Sequence, residues 1–234
     1  MKLIFNMNLC IISLLVDWKT DSVEGSFRRR VSPSSSPNAY PEMTVVLFDL
    51  MNVQSNYSKV LTLQDGTEIH LRPSVKGDYE KVWKMFSSLS RESLIYLPMR
   101  FTRERVEEWF KEMDYDKVLP ILGIVRENGE ERVIADASLE FSFLESRRHR
   151  ADLDITIHDD YQNQGLGTVI MGHLIEIARS KGIRKLELLV VAENERATHL
   201  YEKMGFVKEG RLRMNHYSYI TDDYGDDYTM ALFL

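Results

Sequence analysis

Tyr161-Gln162-Asn163-Gln164-Gly165-Leu166-Gly167-Thr168 is the stretch whose reading decides the fold. Upstream, residues 151–158 (ADLDITIH) alternate apolar and polar side chains, the two-residue period of a half-buried strand. Downstream, Val169, Ile170, Leu174, Ile177 and Ala178 recur at helical spacing. The octapeptide therefore joins a strand to a helix through a glycine turn. A helix start leaves its first amides unpaired at the positive end of the dipole, so glycines that admit a ligand close to the backbone fit an anion site. Glycines that merely supply positive φ angles fit the same residues. On these eight positions alone both readings stay open.

The neighbouring segments extend the pattern. Residues 185–191 (KLELLVV) read as a buried strand, reached from 151–158 by a helical crossover that ends near Gly182, the connection that parallel pairing requires. Asn194 can cap a last helix with Ala197, Leu200, Tyr201 and Met204 on one side and Gly205 as its stop. Two final strands, 206–219 and 228–234, are expected to close on the acidic turn Asp222-Asp223-Tyr224-Gly225-Asp226-Asp227. Toward the N-terminus, Asn128-Gly129 signals a hairpin between 121–126 and 132–143, and Asp65-Gly66 signals one between 60–63 and 68–72. Asp78 can cap a helix bearing Tyr79, Val82, Phe86 and Leu89; Thr102 can cap another bearing Val106, Trp109, Phe110 and Met113. Residues 90–101 between them read as an irregular connection. The order ββααβββαβαββ predicts an α/β (α+β) fold: a mixed, mostly antiparallel sheet flanked by helices.

Composition bounds the function. The 234-residue chain is 44% hydrophobic and 28% charged, as a globular protein is. A net charge of −6 argues against nonspecific nucleic-acid binding and favours a cationic or neutral substrate. One cysteine, Cys10, excludes an intramolecular disulfide, and no Cys/His set has zinc spacing, so no metal is expected and the cytoplasm is the expected compartment. Residues 1–16 resemble a signal-peptide core, but Asn6 and Asn8 interrupt the run, no small-residue cleavage site follows, and it is short for a membrane span. With the Ser/Pro/Arg stretch 27–37 beyond it, residues 1–57 read as an N-terminal extension with little core, and 58–234 as the folded domain.

Gln162-Asn163-Gln164-Gly165-Leu166-Gly167, Asn194 and Leu200-Tyr201-Glu202-Lys203-Met204-Gly205-Phe206, in this element order, resemble the GCN5-related N-acetyltransferase (GNAT) superfamily over roughly residues 60–234. The ending, from Gly210 through His216-Tyr217 to Met230-Ala231-Leu232, looks most like members that acetylate polyamines, ribosomal-protein N-termini or protein lysines. The resemblance implies acetyl-CoA as donor and direct attack by a primary amine. The backbone from Asn163 to Thr168, with Gln162 leading in, would form a nest for the pyrophosphate around Gln164, Gly165, Leu166 and Gly167, and the two glycines would leave room for it. Competing phosphate loops lack their residues: no Gly-Lys-Ser/Thr follows, and Ile170 stands where a dinucleotide fingerprint needs Gly or Ala. The strand before the turn would splay from the next, so that Ile155, Thr156 and Ile157 pair with the pantetheine arm.

The resemblance further implies that Tyr201 protonates the departing thiolate and that Asn194 contacts the cofactor, although a plain helix cap suits Asn194 equally. For the base, Asp152 and Asp154 share one strand face, where disfavoured double ionisation would raise at least one pKa; Asp152 aligns best with a glutamate of lysine-acetylating relatives, and Glu140 is a third candidate. Both aspartates facing solvent or pairing with Arg147, Arg148 or Arg150 is the structural alternative. Leu189 stands where ribosomal N-terminal acetyltransferases carry a catalytic glutamate. The expected acceptor is a small-molecule amine or a protein amine, with no nucleic-acid or membrane partner and a homodimer as the assembly to test. An acyl-CoA-binding sensor without turnover is the alternative from a different class.

Overall fold

The computed structural model describes residues 58–63 and 65–234, so the readings made on residues 1–57 lie outside the described residues. The strands are β1 (Lys59–Thr62), β2 (Glu68–Pro73), β3 (Val118–Glu127), β4 (Glu130–Phe141), β5 (Arg150–Ile157), β6 (Lys185–Val191), β7 (Val207–Ser218) and β8 (Asp223–Phe233). They form one sheet in the order β1-β2-β3-β4-β5-β6-β8-β7. Only the β5–β6 neighbours run parallel. The helices are α1 (Tyr79–Ser87), α2 (Arg91–Leu94), α3 (Arg103–Lys111), α4 (Leu166–Ser180) and α5 (Glu195–Lys203). This is the mixed, mostly antiparallel sheet flanked by helices that the sequence predicts.

α4 is the crossover between the parallel strands. Its buried stripe, including Leu166, Ile170, Met171 and Leu174, packs with Ala135, Ala137 and Leu139 of β4, Ala151 and Leu153 of β5, and Leu186 and Leu188 of β6. The alanines let the helix lie close to the sheet. On the other face, α1 and α3 bury Val82, Phe86, Val106 and Phe110 against Leu122, Ile124 and Val133. Phe86 stacks on Phe101 at 4.0 Å between centroids, and Trp109 meets both rings edge-on, so the residues leading into α3 seal this second core.

Several local readings change. The connection 90–101 contains the helical turn α2, capped by Ser90, whose hydroxyl accepts the Ser93 N–H. Thr102 caps α3 as expected. Asp78 does not cap α1 with its side chain. Its carboxylate is buried, accepts a two-pronged bond from Arg72 (2.6 and 2.8 Å) and takes the Val75 N–H (2.9 Å). The acidic run expected at a hairpin tip is mostly strand, because β8 begins at Asp223. Asp226 accepts from Met214 N–H and Arg211, while buried Asp227 accepts from Asn215 and bonds His216 Nδ1. Those two carboxylates are engaged in holding the irregular part of β7 between Leu212 and His216, where Met214 has φ 49°.

Candidate active site

β5 and β6 pair only from Arg150–Lys185 to Asp152–Glu187. Beyond that vertex β5 continues to Ile157, still bonded to β4, and β6 continues to Val191, still bonded to β8. Residues 153–157 therefore turn one backbone edge toward a widening gap. Arg150 and Lys185 both pair with Glu187, which pins the strands at the point where they part. At the far end of β5 the Ile157 carbonyl accepts from Gln162 Nε2 (2.8 Å).

The octapeptide closes this end of the gap. Asn163 (φ 60°) and Gly165 (φ 81°) are both left-handed, and Gly165 stands at the N-cap of α4 with no side-chain cap and no acidic residue in the first turn. Val169 N–H is the first amide to bond back, to the Gly165 carbonyl. None of the N–H groups from Asn163 to Thr168 makes a close, well-aligned hydrogen bond to another described residue. Two left-handed residues and the helix-start amides that follow suit an anion-binding concavity at the positive end of a helix of 15 residues.

The two glycines have different reasons. Gly165 needs its positive φ, and a Cβ there would meet open space. Gly167 is helical and buried, and a Cβ on it would stand 3.0 Å from Leu200 and 3.3 Å from Ile157, so it permits the close contact of α4 with α5 and the end of β5. Gly167 thus has a packing reason beside the phosphate room expected of it. The side chains of Gln162 and Gln164 are occupied by protein: Gln162 bonds Ser93, Ile157 and Arg196, and Gln164 bonds the Asp160 carbonyl. Asn194 caps α5 by accepting the Ala197 N–H (3.1 Å).

Near the vertex, acidic side chains share one face of the sheet. In register, Glu140 lies opposite Asp152, Ser138 opposite Asp154 and Asp136 opposite Thr156. Burial, with the charges of Asp152 and Asp154 added, pushes the Glu140 carboxyl up to about 7. Burial and Asp154 do the same to Asp136, also to about 7. Tyr201 of α5 is 8% exposed, packs on Phe206, and has its phenol pushed up by burial and by the charge of Asp154. Asp154 is thus the charge common to Asp136, Glu140 and Tyr201. Arg150, offered as a partner for the aspartates, pairs with Glu187. Asp136 escaped the sequence reading, although its two-residue spacing from Ser138 and Glu140 on a hairpin strand facing Asp152 and Asp154 carried the signal.

His158 and His173 are buried and structural: His158 bonds Ser88 and the Asp160 N–H, and His173 bonds Lys59 and Glu176. Among the described residues no cluster of metal-ligating side chains occurs, and no helix is long and apolar enough to cross a membrane.

An open strand edge leading to a nest of amides suits a ligand with an amide-bearing arm and a pyrophosphate, and the class this defines is a CoA-dependent acyltransferase. The chain belongs to the acetyltransferase (GNAT) family, whose model matches residues 83–206. As a member it is an N-acetyltransferase with acetyl-CoA as co-substrate. It is 28% identical over 178 residues to the spermidine N(1)-acetyltransferase of Escherichia coli K12, covering 70% of this chain and 86% of the relative. It is 42% identical over 79 residues to the [ribosomal protein bS18]-alanine N-acetyltransferase of the same organism, covering 34% of this chain and about half (52%) of the relative's length. In fold it is similar to the crystal structure of spermidine N-acetyltransferase from Vibrio cholerae in complex with CoA and spermine, with a TM-score of 0.60 at 21% identity over 70% of this chain and 95% of the other.

Proposed function

We propose that residues 58–234 form a domain that acetylates the primary amine of a small polycationic acceptor, with Asp154 as proton acceptor and Tyr201 as proton donor. The observation that carries this reading is the shared face on which Asp136, Glu140, Asp152 and Asp154 meet beside Tyr201, at the vertex of the splay. Proton transfer needs a single carboxylate. The remaining acidic groups suit an acceptor with further positive charges. The amides from Asn163 to Thr168 would hold the donor's pyrophosphate, and the open edge at Ile155 and Thr156 would align its arm toward the vertex.

In the reaction Asp154 takes a proton from the ammonium, the freed amine nitrogen bonds the thioester carbonyl carbon, and the carbon–sulfur bond breaks. Tyr201 supplies the proton that the departing sulfur accepts and is restored by the second proton that the nitrogen loses as the amide forms. The two transfers assist each other. While Asp154 is charged it holds the phenol proton tightly; once protonated, it no longer opposes release of that proton. The products are the acetylated amine and the free thiol of CoA, with one net proton released to solvent.

Thiol release from acetyl-CoA, measured with polyamines, amino acids, N-terminal alanine peptides and lysine peptides, tests the reading. Fastest release with polyamines is expected. Acetyl-CoA binding without release by any amine would favour a sensor, and fastest release with a peptide would move the acceptor to protein.

A further inference from the structure

The segment 88–101 spans the splay and is tied on both sides of it. On the β5 side, Asp159 accepts from the Ser90 N–H (2.7 Å), Ser90 Oγ (2.7 Å) and Ser93 Oγ (2.6 Å). Ser93 Oγ also accepts from Gln162 Nε2 (3.1 Å), and Gln162 takes a bond from Arg196 of α5. On the β7–β8 side, Arg91 donates to the Ile220 carbonyl (3.2 Å), and the Arg100 guanidinium lies 5.4 Å from the centroid of the Tyr219 ring. The sheet order puts Asp159, which follows β5, and the 219–222 turn on opposite walls of the gap.

α2 is a helix of four residues, too short to hold its shape without outside partners. Asp159 supplies them at its N-terminus, where a carboxylate also meets the favourable end of the backbone dipoles. Its hydrogen bonds to Ser93 and Ser90 keep its carboxyl below the usual range even though burial pushes the other way. Both serine hydroxyls are committed, Ser90 Oγ donating to Asp159 and accepting from Ser93 N–H, Ser93 Oγ donating to Asp159 and accepting from Gln162. Asp159 precedes the amide nest in sequence, and its side chain bonds the start of α2.

We propose that Asp159, acting through Ser90 and Ser93, is a positioning residue that fixes the segment 90–101 across the cleft and thereby shapes the acceptor's binding site without contributing to acetyl-CoA affinity. The inference rests on the acetyltransferase reading above. It differs from that reading in placing an acceptor determinant on the cofactor-loop side of the molecule, outside the carboxylate face.

The test uses the full chain with Asp159→Asn, Ser93→Ala and Ser93→Thr, reading steady-state constants for the best amine, acetyl-CoA binding by calorimetry, and hydrogen exchange of the amides 90–97. Loss of a charge-assisted bond is expected to raise the amine KM roughly tenfold in Asp159→Asn and several-fold in Ser93→Ala, with kcat within about twofold and acetyl-CoA affinity unchanged. Ser93→Thr, which keeps the hydroxyl, restores the amine KM. Exchange of 90–97 accelerates in Asp159→Asn while exchange in β4 and α4 stays as in the native chain. An unchanged amine KM, or an acetyl-CoA affinity that falls in step with it, overturns the proposal. If the native chain turns over no amine, the acetyltransferase reading fails on its own, and unchanged exchange of 90–97 in Asp159→Asn overturns the junction separately.

Discussion

β4 and β5 present two faces that differ in everything except their backbone. Toward α4 they show Ala135, Ala137, Leu139, Ala151 and Leu153, each at most 2% exposed. Toward the other side the alternate residues are Asp136, Ser138, Glu140, Asp152 and Asp154. One hairpin therefore serves as core and as reaction surface, and the pleat alone sorts the two sets. The packed face holds the strands rigid, so that the acidic face can keep carboxylates close to one another despite their repulsion.

The contrast can be broken most severely from the packed side. Leu153→Asp puts a carboxylate where the surroundings are apolar and α4 covers it, at an expected cost of several kcal/mol, enough to remove the cooperative thermal transition. Its neighbour on the acidic face is expected to tolerate Asp154→Asn with the transition intact. Circular dichroism melts of the two proteins check this difference, and similar melting temperatures would abolish it.

Tyr201→Phe keeps the ring against Phe206 and removes the donor. Turnover is expected to fall on the order of a hundredfold with little change in acetyl-CoA affinity. A native turnover number in the variant would show that the thiolate leaves without this proton.

The smallest effect concerns stability. Burial and the neighbouring charges raise the Glu140 pKa from an ordinary 4.5 to about 7 in the folded chain, so the folded chain binds more protons than the unfolded one between those values. Stability contributed at low pH is therefore lost as pH rises from about 4.5 through 7. Glu140→Gln removes that loss and is expected to be about 1 kcal/mol more stable than the native chain at pH 8, a figure reduced for the group's partial exposure, and no more stable at pH 4. Denaturant titrations at the two pH values decide it.

Much of this was legible in the chain. The alternation at 151–158, the helical spacing after Thr168 and the Asn128-Gly129 turn fixed the elements around the site, because periodicity and turn chemistry are local properties. α2 was not legible, because its cap partner Asp159 lies 69 residues from Ser90. Asp78 looked like a helix cap because the bond to Arg72 joins two elements whose approach no local pattern records. The extent of β8 was hidden by its acidic residues, which disfavour strands until Arg211, Asn215 and His216 on β7 engage Asp226 and Asp227. The packing contact of Gly167 was hidden for a similar reason: its neighbour, Leu200, lies on another helix.

The assignment of the acidic face to proton transfer is tested most directly by the pH dependence of kcat/KM for the best amine in the native chain, Asp154→Asn and Asp152→Asn. The native profile is expected to have an acidic limb, which Asp154→Asn abolishes together with most of the rate. Asp152→Asn keeps the limb and moves it to lower pH, since removing a like charge makes its neighbours easier to ionise. A native-like limb and rate in Asp154→Asn would contradict the account and return the base to Asp152, Glu140 or Asp136.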